Sequence, residues 1–195
     1  MKKCYLGCGH IDMHGDGYLN VDLRKLPHVD VCCDVSEKLP FEDNSVDEIL
    51  ADSVLEHLPH NDTTGNCSTT YHKTIKILKE WHRVLKPSGI LSIKIPNIEG
   101  LFYSYYIKKT CSVKDFVMYL WGGQEYGGGT CSHSPNTHLC GFDANLITEL
   151  FKVVGFRDIK IRNAHNQMIV LMRKILMNFV VLVLNENVSQ RIDCL

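Results

Sequence analysis

Apolar positions along this chain fall into short runs separated by longer amphipathic stretches. Residues 4–6, 18–22 ("YLNVD"), 29–35 ("VDVCCDV"), 46–53 ("VDEILADS") and 90–97 ("ILSIKIPN") read as strands. Between the last two, "TTYHKTIKILKEWHRVLKPSG" places Ile75, Leu78, Trp81 and Leu85 at helical spacing, with Pro87-Ser88-Gly89 as its stop. Asp143 is a suitable N-cap for a second helix presenting Leu146, Ile147, Leu150 and Val153–Val154, closed by Gly155. "FRDIKIRN" and "QMIVLM" add two strands whose short connection suits an antiparallel hairpin, because a parallel crossover needs a dozen or more residues. The alternation predicts an α/β fold: a doubly wound seven-stranded sheet, mostly parallel, with an antiparallel last strand.

The stretch from Ile98 to Phe142 breaks this rhythm. It carries "YSYY", "WGGQEYGGG" and "CSHSPNTHLCGF", rich in aromatics, glycine and histidine and poor in periodicity. We expect one domain over residues 1–195, with a lid or acceptor insertion at about 98–142 and an apolar C-terminal extension at about 175–195.

Composition narrows the function classes. The formal net charge of −1 argues against a surface built to neutralise nucleic-acid phosphates. Nine cysteines is an odd number, and the apolar stretch at the start is too short for an export signal. Reduced thiols and a cytoplasmic location are therefore expected. From Met168 to Leu184 the chain is strongly apolar, but Arg173, Lys174 and Asn178 interrupt it, so no membrane span is expected.

The strand ends carry the candidate chemistry. In open α/β sheets, ligands bind beyond the carboxyl ends of the strands. Here the first strand ends at Gly7-Cys8-Gly9, the second at Asp22, the third at Asp34 and the fourth at Asp52-Ser53. The glycines allow backbone to approach a ligand closely. Asp22 suits a ribose diol, whose two donors match two carboxylate oxygens, and Asp34 suits an adenine amino group. The pyrophosphate fingerprint G-x-G-x-x-G and the phosphate-gripping P-loop are both absent, so the pattern points to an adenosine ligand without a phosphate.

The string "LGCG…GYLNVDL…CDVSEKLPFEDNSVDEILADSVLEHL…LKEWHRVLKPSGILSIKIPN" resembles the class I S-adenosylmethionine-dependent methyltransferases of the type 11 group, over about residues 4–97. The resemblance implies a Rossmann-like fold and S-adenosylmethionine as cofactor. It implies that Gly7, Cys8 and Gly9 pass under the methionine part, that Asp22 holds the ribose, and that Asp34 with the Val35 amide reads adenine. It implies also that Asp52 and Ser53 line the cofactor, with Glu56 and His57 just beyond, facing the methyl group or the acceptor. "GGQ…H…GFDANLITELFKVVGF" is similar to a subset found among sugar and cell-envelope modification enzymes. Two departures stand out. The helix that usually precedes the first strand in this family is not expected within this sequence, and only seven residues separate Gly9 from Gly17, so the first helix is expected to be short or absent.

The expected reaction is methyl transfer to a small-molecule or glycan acceptor, at oxygen. For a hydroxyl acceptor His57, His133 and His138 are candidate general bases, with His138 first and His57 second. A methyltransferase-like binding or scaffolding protein without catalysis is the competing reading. Cys131, His133, His138 and Cys140 form a C-x-H-x₄-H-x-C cluster, but this spacing matches no common zinc pattern, and no metal is expected. The apolar tail reads as a packing segment or a homodimer contact.

Overall fold

The computed structural model of the protein describes residues 1–61, 71–123, 136–164 and 166–175. Its centre is one seven-stranded sheet. The strands are β1 (Lys3–Leu6), β2 (Tyr18–Asp22), β3 (Val31–Cys32), β4 (Val46–Asp52), β5 (Leu85–Pro96), β6 (Phe156–Ala164) and β7 (Gln167–Lys174). Their spatial order is β3-β2-β1-β4-β5-β7-β6. β1 pairs in parallel with both β2 and β4, so the strand order reverses at β1 and opens a crevice at its carboxyl end. β7 runs antiparallel between β5 and β6, as the short 164–167 connection requires.

The first crossover is as spare as the Gly9–Gly17 spacing predicts. Between β1 and β2 the described backbone makes a single 3-10 turn, His14–Asp16, ended by Gly17 at φ 77°. Hydrogen bonds replace a helix here. Asn20 is fully buried and its side-chain amide donates to Asp12 and to the His28 carbonyl, while its Oδ1 accepts from the Met13 amide.

Helix α1 (His72–Val84) buries Thr74, Ile77, Leu78, Trp81 and Val84. The buried stripe is thus rotated from the expected one: Ile75 is half-buried, and Leu85 begins β5. Pro87-Ser88-Gly89 does not stop the helix. It forms a bulge in β5, where the pairing jumps from Val46–Leu85 to Glu48–Ile90. Trp81 lies wholly in the core and donates from Nε1 to the Val35 carbonyl (3.0 Å), tying α1 to the chain that follows β3.

β3 is shorter than the apolar run 29–35. At its start Asp30 spends its carboxylate on the Asn20 amide and His14. Past its end, Asp34 accepts from the amide and hydroxyl of Ser36 and turns the chain.

Beyond β5 the chain makes α2 (Ile98–Phe102), a π-helical turn (Tyr103–Ile107) and α3 (Val113–Trp121). Phe102, Tyr105 and Tyr106 gather around Phe116, at centroid distances of 5.1, 4.5 and 6.1 Å. Helix α4 (Ala144–Val154) is capped by Asp143, which accepts from the Leu146 amide at 2.7 Å, and by Gly155 at φ 110°. Its core face is Ile147, Leu150, Phe151 and Val154, with α4 against α1; Val153 points outward. The one-residue offset puts Phe151 against Phe156, at the head of β6. The six described cysteines are free thiols. The tail beyond residue 175, Cys131 and His133 lie outside the described residues. Among the described residues no helix is long and apolar enough to cross a membrane.

Candidate functional site

Two cavities open at the carboxyl ends of β1, β2 and β4. The first, of about 330 Å³, is lined by Gly7, Gly9, Asp22, Asp34, Val35 and Ser53, together with Leu23, Arg24, Val54, His57, Leu58 and Asn136. Six of the eight cofactor residues expected from the sequence therefore meet on one wall. The Cys8 thiol is not among them. Its side chain turns into the core, 1% exposed, and burial pushes it up to about 11. The Asp52 carboxylate also turns away, to Lys94 (3.1 Å) and the Ser53 hydroxyl (2.9 Å).

Local geometry explains why these residues stand here. Gly7 has φ 64°, and a Cβ at this position would sit 2.6 Å from a Val54 methyl. Only glycine lets the β1 turn and the β4 turn approach this closely. Gly9 is held by its amide, which donates to Asp22 Oδ2 at 2.8 Å. Asp22 Oδ1 accepts from the Arg24 amide (2.9 Å) and from Arg24 Nε (3.0 Å). Burial pushes the Asp22 carboxyl up, but these hydrogen bonds and the guanidinium more than offset it and hold the group below the usual carboxylate range. Ser53 closes β4 at φ 55°, a left-handed conformation that non-glycine residues seldom adopt and that is found at functional sites.

The second cavity, of about 270 Å³, is lined by Ser53, Glu56, His57, Pro96, Met118, Tyr119, Gly122, Gly123, Asn136, His138 and Gln167. It shares Ser53, His57 and Asn136 with the first, so the two spaces meet there. Three segments build it: the 3-10 turn Leu55–His57 after β4, the end of α3, and the chain at 136–140. They are sewn together by main-chain hydrogen bonds. Leu139 N donates to Glu56 O (2.7 Å), and His138 N donates to Trp121 O (3.0 Å). Gly122 pairs with Thr137 so tightly that a Cβ would lie 1.9 Å from the Asn136 carbonyl.

Within this cavity His57 and His138 stand edge to face, with centroids 4.8 Å apart. His57 Nδ1 lies 3.1 Å from the Thr137 carbonyl, and His138 Nδ1 lies 2.9 Å from the Tyr119 carbonyl. A carbonyl oxygen only accepts, so each Nδ1 carries the proton and each Nε2 keeps a lone pair. Burial pushes both imidazoles below their usual range; His57 lowers His138 further. Both are neutral at pH 7. Beside them Glu56 is 1% exposed, and its Oε2 has no hydrogen-bond partner among the described residues. Burial pushes this carboxyl up to about 8.

Of the C-x-H-x₄-H-x-C residues, the structure places His138 and Cys140 in different roles. The Cys140 thiol donates to the Leu55 carbonyl (3.6 Å), and burial pushes it up to about 12, so it stays protonated. Arg24, Leu23, Val54, Asn136, Met118 and Tyr119 were not anticipated as wall residues. For Arg24 a signal existed: a cation two residues past a buried strand-end carboxylate is placed to pair with it.

Comparison with known proteins bears on the fold and the domain. Residues 16–93 match the family described as "Methyltransferase domain". No curated protein sequence matches the chain. Among solved structures, a Thermotoga maritima S-adenosylmethionine-dependent methyltransferase, described as a possible histamine N-methyltransferase, aligns with TM-score 0.55 and 17% identity, covering 89% of this chain and 81% of that one. A Methanosarcina mazei S-adenosylmethionine-dependent methyltransferase aligns with TM-score 0.55 and 17% identity, covering 90% and 92%. The Burkholderia thailandensis 1,6-didemethyltoxoflavin-N1-methyltransferase, solved with S-adenosylhomocysteine and its acceptor, aligns with TM-score 0.54 and 16% identity, covering 90% and 71%. At such identities the structural likeness speaks for the fold. Residues 16–93 are thus similar to the methyltransferase-domain family, and the described chain shares its fold with S-adenosylmethionine-dependent methyltransferases.

Proposed function

We propose that the chain transfers the methyl group of S-adenosylmethionine to an oxygen of a small-molecule or glycan acceptor, with the cofactor in the first cavity and the acceptor in the second. The observation that carries this reading is the junction of the two cavities at Ser53, His57 and Asn136. A methyl donor in the first would face an acceptor in the second across these shared residues.

The cofactor supplies a sulfonium, so its methyl is already activated and the sulfur is a good leaving group. The protein's part is alignment in a water-poor pocket. Asp22 accepts from the ribose hydroxyls, displacing the half-exposed Arg24 guanidinium; Asp34 and the Val35 amide take the adenine edge. Gly7 and Gly9 present bare backbone to the methionine part. As the acceptor oxygen bonds to the methyl carbon, the S–CH₃ bond breaks and its electron pair returns to sulfur. The hydroxyl proton passes to a histidine Nε2, of His138 first and of His57 second. Two neutral imidazoles with that atom unprotonated support oxygen as the methylated atom, because a hydroxyl needs a base where a neutral amine does not.

Methyl transfer from labelled S-adenosylmethionine to matched hydroxyl, amine and thiol acceptors, read by mass spectrometry, tests the reading. O-methyl products lost in His138→Ala are expected. Products methylated only at nitrogen would overturn the choice of oxygen.

A further inference from the structure

The mechanism above uses the two imidazoles singly and leaves Glu56 without a task. Yet Glu56, His57 and His138 each offer a ligand atom, and these atoms lie within 4.8 Å of one another. We propose that these three side chains bind one divalent first-row transition-metal cation of the zinc class, with its remaining coordination positions open to the second cavity.

Four observations carry the proposal. The donor set is two imidazoles and one carboxylate, which suits borderline cations such as Zn²⁺ and leaves positions free; Mg²⁺, which prefers oxygen ligands and keeps its waters, is disfavoured. Both rings are oriented as metal-bound histidines usually are, with Nδ1–H on a backbone carbonyl and Nε2 free to ligate. Those carbonyls belong to Thr137 and Tyr119, in segments locked together at Gly122, so the rings are held before any ion arrives. Finally, Glu56 is almost wholly buried, and its Oε2 is one of the few buried side-chain atoms without a partner among the described residues. A buried carboxyl oxygen left unpaired is costly, and a cation that takes the place of the carboxyl proton, which leaves to solvent, removes that cost.

Bonds of about 2.0–2.2 Å place neighbouring ligand atoms roughly 3–3.5 Å apart. Binding therefore draws the three ligand atoms closer than the 4.8 Å within which they now lie. The Cys140 thiol is not a ligand, since it is turned to the carbonyls of the 55–58 turn. The consequence for chemistry rests on the acceptor reading of the second cavity. There a bound cation polarises an acceptor hydroxyl and lowers its pKa, as it does for water. In the loaded protein the imidazoles then hold the cation, and the hydroxyl proton leaves through the cavity mouth.

The test is direct binding of Zn²⁺ and Co²⁺ to chelator-treated full-length protein, by calorimetry and by the visible d–d absorption of Co²⁺. Binding of S-adenosylmethionine is titrated separately on the same samples. We expect one ion per chain, a Co²⁺ spectrum with nitrogen and oxygen ligation, and binding weakened at least roughly 100-fold in Glu56→Gln and His138→Gln. His82→Phe, remote from both cavities, should leave it unchanged. Circular dichroism establishes that each variant is folded; His57→Gln replaces any that is not. Unchanged Zn²⁺ affinity in folded variants, or no Co²⁺ band in the parent, overturns the site. Loss of S-adenosylmethionine binding with metal binding intact would overturn the methyltransferase reading and leave the site standing.

Discussion

Asp22, at the end of β2, and Glu56, in the 3-10 turn after β4, are both buried carboxylates, and their surroundings are opposite. Asp22 Oδ1 and Oδ2 accept from the Arg24 amide, Arg24 Nε and the Gly9 amide, and the group stays ionised. Glu56 Oε2 accepts from no group among the described residues, and burial keeps the carboxyl protonated up to about pH 8. The first cavity is thus a finished piece of backbone architecture, shaped before any ligand arrives. The second is short of a partner. A satisfied carboxylate holds a loop in place, whereas an unsatisfied one facing a cavity marks where chemistry is still to be supplied.

Substitutions can break this contrast. The largest expected effect is on the second cavity: His138→Ala should lower kcat by roughly 10²–10⁴-fold while S-adenosylmethionine affinity changes little. Single-turnover kinetics beside calorimetry separates the two, and a fully active variant would remove His138 from the mechanism. On the first cavity, Gly7→Val forces a side chain into Val54 at a positive φ. It should cost about 1–3 kcal/mol of stability and weaken cofactor binding roughly 100-fold. Calorimetric affinity and thermal denaturation would show both.

Asp22→Ala strips the partner from two amides and a guanidinium. About 1–3 kcal/mol of stability should be lost, with cofactor affinity falling roughly tenfold or more. Unchanged affinity would end the ribose assignment. The smallest effect comes from a control that faces neither cavity. His82 packs edge-on against Phe156 with Nε2 buried and unpaired among the described residues, and burial, helped by Lys174, lowers it from 6.5 to about 4. The unfolded chain takes up a proton below pH 6.5 that the folded chain refuses until about pH 4, so stability falls as pH drops through that window. His82→Phe should flatten this acid slope, in denaturant titrations at several pH values, without touching activity. An unpaired group that serves no cavity is then dispensable, and Glu56 is not.

How far the sequence could be read follows the same division. The first cavity was legible in part because Gly7, Gly9, Asp22, Asp34 and Ser53 lie at or just past the ends of strands whose apolar runs precede them, so they align once the sheet is inferred. The second was legible only as residue types. His57 and His138 could be named as candidates, but their ring contact spans 80 intervening positions and depends on a turn at Gly122 with no periodic signature. The helix stripes erred by a residue, at Ile75 and Val153, because neighbouring apolar positions compete and only the tertiary partner decides between them. Pro87-Ser88-Gly89 looked like a helix stop because turn residues also make bulges, and local sequence does not separate the two.

The clip between Leu139 N and Glu56 O (2.7 Å) has a bearing on how such a protein diversifies. The stretch carrying His138 is pinned by its own main chain to the turn carrying Glu56 and His57. Side chains can therefore be exchanged around it without shifting the reacting groups against one another. Met118 and Tyr119, on the α3 wall, are outside that pinned unit by their side chains. Selection for a new acceptor has a free hand at Met118 and Tyr119, and almost none at 56, 57 and 138.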